Sequence, residues 1–234
     1  YAFRPLHIKP DRLMTWDIVR ISVPCGLQSS MYNISNLLVQ IKINSFGTVA
    51  MAGITAYGKL DAFIYMPMAA LSLAISTFVG QNIGAGRYDR MKKAIRVSLV
   101  ISILCVWFLC AVILVFFEPL MHIFTDDPQA IAFGRKMMGF LFPAVWLYSF
   151  VDVFSGAIRG AGQAVPVTVI SALTICVFRI IWLEVLLHIV NDIRVVFLCY
   201  PVSWILCGSA LTWYYFRRST LRRSIQANAA LEAK

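Results

Sequence analysis

The chain has 234 residues, of which 60% are hydrophobic and only 14% are charged, and its formal net charge is +10. Average soluble proteins have about 25% charged residues, so a soluble domain of this size would have too few charges to cover its surface. The composition therefore excludes an ordinary soluble enzyme and an intrinsically disordered chain, and it favours a protein that crosses a membrane several times.

Six apolar segments follow one another, and about 20 apolar residues suffice to cross a bilayer as a helix. The alternating pattern of barrel strands does not occur at the required length, so the predicted fold class is an all-α polytopic membrane protein with a bundle of six transmembrane helices. The predicted spans are 18–46, 49–83, 94–117, 131–158, 165–190 and 195–216. The first span is the least apolar. Prolines inside or at the start of the spans are expected to kink them: Pro24, Pro67, Pro143, Pro166 and Pro201.

Lys and Arg in short loops mark the cytoplasmic side of a membrane protein. Lys and Arg residues precede the first span, are concentrated between the second and third spans, and follow the sixth span. If the chain crosses the membrane six times, these three segments lie on the same side. We therefore expect both ends to be cytoplasmic and the protein to lie in the plasma membrane, the inner membrane of a bacterium. The basic residues are expected to meet membrane lipid and not nucleic acid.

The predicted domains are a basic linker at 1–15, the six-helix lobe at 16–218 and a basic tail at 219–234. The chain does not begin with methionine, and we therefore expect it to be part of a longer protein.

The first span carries a row of amides and hydroxyls on one helical face. At 100° per residue this face holds Ser29, Asn33, Asn36, Gln40 and Asn44. Such a face suits a water-filled cleft that accepts varied ligands; the alternative is a seam in which two helices share hydrogen bonds. Gln28 in the first span and Tyr148 in the fourth are further candidates for the cleft, whereas the other aromatic residues of the spans, such as Tyr200 and Trp204, are expected to pack.

Ionisable residues inside a membrane are costly and mark candidate functional sites. Those predicted to take part in ion coupling are Asp152, Arg179, Glu184 and Asp61. Asp152 can bind and release a proton or ligate Na⁺; the alternative is a salt bridge to Arg159 or Arg179 that only holds helices together. We expect Arg179 to pair with Asp152 or Asp61. Glu184 is either a second proton or cation group or a residue of the outer interface.

Signatures of catalysis are absent from the sequence. It contains no GxxxxGK[ST], GxSxG or HExxH pattern, and its six cysteines lie in apolar stretches without metal-ligand spacing. We therefore expect neither an enzyme nor a metal site, and no cofactor beyond a coupling ion, H⁺ or Na⁺.

Two similar turns follow the second and fourth spans, Gly84-Ala85-Gly86 and Gly160-Ala161-Gly162, and they suggest either an internal repeat or a coincidence. The stretch 78–94 around the first turn resembles a hallmark of the MATE (multidrug and toxic compound extrusion) transporters, and 156–163 resembles their second recurrent motif. The residues that carry the resemblance are Gln81, Asn82, Gly84, Gly86, Arg159, Gly160 and Gly162.

Members of that family have twelve spans in two lobes, and this chain resembles the C-terminal six-helix lobe, with an N-terminal six-helix lobe as its partner. The resemblance implies a secondary active antiporter that exports small cationic or amphipathic compounds as H⁺ or Na⁺ enters, with the first span lining a cleft between lobes. Some Na⁺-coupled members carry carboxylates on the spans that match the fourth and the first. Asp152 lies on the fourth, but the first has no carboxylate in mid-membrane. The alternatives are a flippase of lipid-linked precursors from the same superfamily and a non-transporting six-helix membrane subunit.

Overall fold

The computed structural model describes residues 11–219, and these residues form nine α-helices, one π-helical segment and no strand. The helices are α1 Arg12–Asn44, α2 Thr48–Gly84, α3 Tyr88–Val115, α4 Phe117–His122, α5 Pro128–Val145, α6 Tyr148–Gly160, α7 Ala164–Ser171, α8 Phe178–Ile189 and α9 Ile193–Arg217. The π-helical segment, Ala172–Val177, joins α7 to α8 without a break. The all-α fold is thus confirmed.

Four helical stretches between residues 11 and 219 are long and apolar enough to cross a membrane: α2, α3, the run from α7 to α8, and α9. The pair α5 and α6, bent by 50°, makes a fifth span if it is counted as one. Helix α1 has 33 residues, the length of a span, but does not reach the same hydropathy, in line with the low apolarity of the first predicted span. It begins at Arg12, inside the predicted linker; residues 1–10 and 220–234, with the rest of the linker and nearly all of the tail, lie outside the described range.

The fourth predicted span, 131–158, is broken where α5 ends. Pro143 lies two residues before the end of α5 and has no backbone N–H, which weakens the last turn. The chain then tightens, with Leu147 N–H bonded to Ala144 O at 3.0 Å and Phe150 N–H bonded to Leu147 O at 3.1 Å. Helix α6 therefore leaves in a new direction and carries Asp152 with it.

Helices α2 and α6 pack with their backbones in close contact. A Cβ atom on Gly156 would collide with the carbonyl oxygen of Ser72, and one on Gly160 would collide with that of Ser76. The hydroxyl of Ser72 donates to the carbonyl oxygen of Asp152 at 2.8 Å. Small residues that let helices approach this closely are typical of membrane bundles. The position of the Asp152 backbone is therefore fixed by α2.

The two Gly-Ala-Gly turns have the same backbone conformation. Their last glycines, Gly86 and Gly162, have φ of 68° and 77°, a region that favours glycine. The following residues, Arg87 and Gln163, match as well, with φ/ψ of −92°/66° and −98°/59°. Each turn closes its helix with a bond over five residues, from Arg87 N–H to Asn82 O at 2.8 Å and from Gln163 N–H to Ile158 O at 3.2 Å. The resemblance between the two motifs is therefore structural at the level of the turn.

The interior consists of two apolar clusters stacked along α2. One contains Tyr57 and Ile64 from the first half of α2, and the other contains Ile75 and Val79 from its second half. Tyr148, at the start of α6, packs against both.

Candidate functional site

The polar face of α1 is open in the described part of the chain. Ser29, Asn33, Asn36 and Asn44 are exposed and Gln40 is partly buried, with its amide donating to Asn44 Oδ1 at 3.0 Å. The bundle side of α1 is a different row, in which Gln28, Ser35, Val39 and Ile43 are buried. Only Asn36 of the polar row forms an interhelical side-chain bond within residues 11–219.

Gln28 does not belong to that open face, contrary to its predicted place in the cleft. It is only 5% exposed, because it points into the bundle, and its amide donates to Ser171 Oγ at 3.0 Å and to the Tyr32 hydroxyl at 3.4 Å. Its Oε1 atom is fully buried and has no hydrogen-bond partner among the described residues. Cys207 Sγ lies 3.9 Å from Ser171 Oγ and completes what we call the Gln28 cluster: Gln28, Tyr32, Ser171 and Cys207.

Asp152 lies on α6 and is partly buried. The predicted salt bridges to Arg159 and Arg179 are not formed: Asp152 has no ion pair within residues 11–219, and Arg159 uses its Nε to bond Ser155 O at 3.2 Å. Asp152 is within electrostatic range of Arg159, and also of Tyr32 and Cys207, which are both members of the Gln28 cluster. The described structure thus holds a carboxylate without an ion pair on α6 and a buried oxygen without a donor in the cluster that this carboxylate influences.

Arg179 lies on α8 and is only 5% exposed. Its Nε donates to Ser203 Oγ at 3.0 Å, its Nη1 donates to Asn36 Oδ1 at 3.3 Å, and its guanidinium carbon lies 4.4 Å from the centre of the Tyr200 ring. All three partners are neutral, so the predicted pairing with a carboxylate is wrong for the described residues. A cation over an aromatic face is attracted by the ring, and this attraction grows when water is excluded.

Four aromatic rings from three helices lie near Arg179 and pack against one another. Tyr65 of α2 lies 5.3 Å from Tyr148 of α6, and Trp204 of α9 lies 5.9 Å from Tyr148 and 6.2 Å from Tyr200. Together with Arg179 they form what we call the arginine–aromatic cluster. The sequence analysis assigned Tyr200 and Trp204 to packing and Tyr148 to the cleft, and it did not single out Tyr65. The spacing of four residues between Tyr200 and Trp204 was the one sign that two of these rings share a helical face.

The other two predicted ion-coupling residues have partners of their own. Asp61 accepts a bond from the Tyr57 hydroxyl at 3.2 Å and lies within electrostatic range of Tyr200, yet it has no ion pair in the described range. Glu184 is exposed and binds Lys42 Nζ at 2.7 Å, which joins α8 to α1. Glu184 therefore matches the outer-interface alternative.

The motif residues Gln81, Asn82, Gly84, Gly86, Gly160 and Gly162 lie at the ends of α2 and α6 and in the turns that follow. Asn82 is buried and donates to Phe78 O at 2.8 Å, and Gly84, Gly86, Gly160 and Gly162 end α2 and α6 at the turns described above. Gln81 is exposed on the last turn of α2, where its carbonyl accepts the Ala85 N–H. The two turns lie at the same end of the bundle, where a Cβ atom on Gly80 would contact the carbonyl oxygen of Gly160.

One further cavity, of about 480 Å³, opens where α5 breaks. It is lined by α6 and α9 and by the residues between α5 and α6: Trp146, Leu147, Phe150, Trp204, Ile205, Gly208, Ser209, Thr212 and Trp213. Its walls are mainly apolar. No group of three His, Cys, Asp or Glu side chains in residues 11–219 is placed to hold a metal ion.

An all-helical membrane bundle with ionisable groups between its spans has the architecture of a membrane transporter. The sequence matches the family model MatE over residues 24–183, and the chain belongs to this family. Members of this family are transporters and not enzymes.

Relatives and solved structures agree with this assignment. The chain is 24% identical to the "Probable multidrug resistance protein YoeA" of Bacillus subtilis, over 94% of this chain and 48% of that protein. It is 22% identical to the "FAD transporter" of Shewanella oneidensis, over 91% of this chain and 46% of that protein. A crystal structure of MATE in complex with MaL6 shares the fold with a TM-score of 0.82 at 16% identity, covering 95% of this chain and 51% of that one. The chain spans about half the length of the proteins it matches.

Proposed function

We propose that this chain is the C-terminal lobe of a secondary active antiporter, which exports small amphipathic or cationic organic compounds in exchange for H⁺ or Na⁺. Membership of the MatE family and the half-length matches support this proposal. In it, an N-terminal six-helix lobe supplies the other wall of the cleft, and the open polar face of α1 supplies this one. The protein lies in the inner membrane of a bacterium with both ends of this chain in the cytoplasm, as the positions of its Lys and Arg indicate.

The observation that carries the proposal is Asp152, a carboxylate inside the bundle that has no ion pair within residues 11–219 and lies within electrostatic range of the Gln28 cluster. A carboxylate without a counter-ion inside a membrane is unfavourable, and it is relieved when it binds a proton or a metal cation. Na⁺ is a hard cation that prefers oxygen ligands, and the cluster offers oxygens from Gln28, Tyr32 and Ser171. One of them, Gln28 Oε1, is without a donor in the described residues.

The position of Asp152 relative to α1 also suggests how ion binding and substrate binding would be coupled. The Asp152 backbone is held by Ser72 of α2, whereas the Gln28 cluster lies on the bundle side of α1. Neutralisation of Asp152 alters the electrostatic environment of that side of α1, while the opposite side of α1 carries the open polar face. An ion and a substrate that act on one helix from two sides share a coupling free energy, which antiport requires.

The test is Asp152→Asn in the full-length protein reconstituted in liposomes. We expect ethidium transport driven by an imposed H⁺ or Na⁺ gradient to be lost, because asparagine cannot exchange a proton and is a weaker cation ligand. Running the two gradients separately identifies the coupling ion. The matched control is Asp126→Asn, since Asp126 is exposed and contacts only His122 in the described range. Gradient-driven transport at the wild-type rate in Asp152→Asn would remove Asp152 from the mechanism.

A further inference from the structure

Arg179 lies deep in its span. The run from α7 to α8 ends at Ile189, ten residues after Arg179, which corresponds to about 15 Å at 1.5 Å per residue. Because the hydrocarbon core of a bilayer is about 30 Å thick, the side chain starts near its middle. An arginine at this depth is rare and marks a functional site unless another group compensates its charge.

No carboxylate in residues 11–219 compensates that charge. Asp61 is bonded to Tyr57 and Glu184 is paired with Lys42. Arginine has five N–H donors and cannot lose its proton in a protein. Two of those donors are used, on Ser203 and Asn36, and the others have no hydrogen-bond partner among the described residues. The guanidinium is therefore held in place by neutral groups while most of its donors stay available.

The guanidinium is reached from the open face of α1. Asn36 is exposed on that face, and it accepts the Nη1 hydrogen bond at 3.3 Å, which is longer than a typical N–H···O bond of about 2.9 Å. A ligand oxygen on the α1 face that replaces Asn36 gains a charge-assisted bond in exchange for a weaker one. The aromatic rings of the cluster offer an apolar surface beside the same point.

We infer that the arginine–aromatic cluster is a subsite for the anionic group of the transported compound, a carboxylate or phosphate attached to an apolar or aromatic body. The inference rests on the proposed function, since it names the chemistry of the substrate in that cleft. Arg179 binds the anion through its planar fork of donors, and Tyr200 holds the other face of the guanidinium. A compound with both a cationic and an anionic group fits the cleft as a whole.

The test compares two probes of the same shape, 2-naphthoate and 2-naphthamide, binding to the full-length protein in detergent, measured by titration calorimetry. Wild-type protein is expected to bind the carboxylate at least tenfold more tightly than the amide. Arg179→Gln is expected to abolish this preference, because the carboxylate loses far more affinity than the amide. Arg179→Lys keeps the charge but loses the fork, and is expected to retain a reduced preference.

The matched control is Arg194→Gln, because Arg194 is exposed and lies 3.8 Å from Asp192 at the start of α9. It should keep the full preference for the carboxylate. Equal affinity of the wild type for the two probes overturns the inference even if Arg179→Gln fails to fold, and so does an undiminished preference in Arg179→Lys or Arg179→Gln.

The same variants separate this inference from the proposed function. If the Arg179-dependent preference is found but no gradient drives ethidium transport by the wild type, the subsite stands and the antiport proposal fails. If gradient-driven transport depends on Asp152 while the wild type does not distinguish the two probes, antiport stands and the subsite is wrong.

Discussion

The regions around Asp152 and Arg179 each place inside the bundle one ionisable group that has no ion pair within residues 11–219, but the two groups have different partners. The guanidinium of Arg179 is surrounded by two hydrogen-bond acceptors and an aromatic face, whereas the hydrogen bond at Asp152 reaches its backbone carbonyl. A carboxylate can lose its charge by binding a proton, and a guanidinium cannot. A permanently charged group inside a membrane needs fixed hydrogen-bond or aromatic partners. A group that becomes charged and neutral in turn needs few fixed partners, because its partner is the ion that it binds. The difference suits Asp152 to a transient cation and Arg179 to an anion.

The largest expected effect is on the stability of the bundle, through the contact of α6 with α2. Gly156→Val puts side-chain atoms where Ser72 O now lies, and a backbone atom of a packed helix cannot give way cheaply. We expect a cost of about 3 kcal/mol or more, the upper end for overpacked sites, seen as a lower unfolding temperature in detergent. Gly139→Val is the control, since nothing lies within 4 Å of a Cβ there. Equal stability of the two variants would contradict the close contact of α2 with α6.

A smaller effect on stability is expected when Arg179 and Asp152 are substituted, and it should differ between the two residues. Arg179→Ala removes hydrogen bonds to a charged group and a cation–π contact, and should lower the free energy of unfolding by about 2 kcal/mol. Asp152→Asn breaks no ion pair in the described structure and should change it by less than about 1 kcal/mol. Thermal unfolding in the same detergent compares the two. A reversed order would mean that Asp152, and not Arg179, is the group with permanent partners.

The smallest effect is expected at the Lys42–Glu184 pair. Glu184→Gln removes an ion pair between two partly exposed side chains, and such pairs contribute about 0–1 kcal/mol that salt screens further. The unfolding temperature of Glu184→Gln should therefore differ little from that of the wild type. The difference should be larger at low salt than at high salt. A loss as large as that of Arg179→Ala would place Glu184 among the buried charges.

Hydropathy predicted the spans well because membrane helices must be long and apolar, and the observed ends lie within a few residues of most predicted ones. The kink predicted at Pro143 corresponds to the 50° bend between α5 and α6, but the sequence did not indicate that the span divides into two helices there. Gln28 was assigned to the cleft because a polar side chain in a span does not reveal which side it faces. One residue, about 100° of rotation, separates it from the open row.

The partner of Arg179 was beyond sequence reasoning for a different reason. Its direction is set by the π-helical segment Ala172–Val177, where hydrogen bonds span five residues and the helix is wider than an α-helix. Helical-wheel arithmetic that runs through this segment at 100° per residue places every later side chain at the wrong angle. The predicted pairing of Arg179 with a carboxylate rested only on the cost of an unpaired charge inside a membrane, which does not reveal the groups that the side chain faces.

The wide turn also makes α8 more vulnerable to a change of winding than to a loss of apolar character. If the six residues 172–177 wound as a regular α-helix, the segment would stay as apolar as before and long enough to cross a membrane. Yet everything after it would turn by about the rotation of one residue, roughly 100°. Arg179, Trp182 and Glu184 would then leave Ser203, the Val195 carbonyl and Lys42 together. The six residues from Ala172 to Val177 act as a spacer, and the rest of α8 depends on its winding more than on its composition.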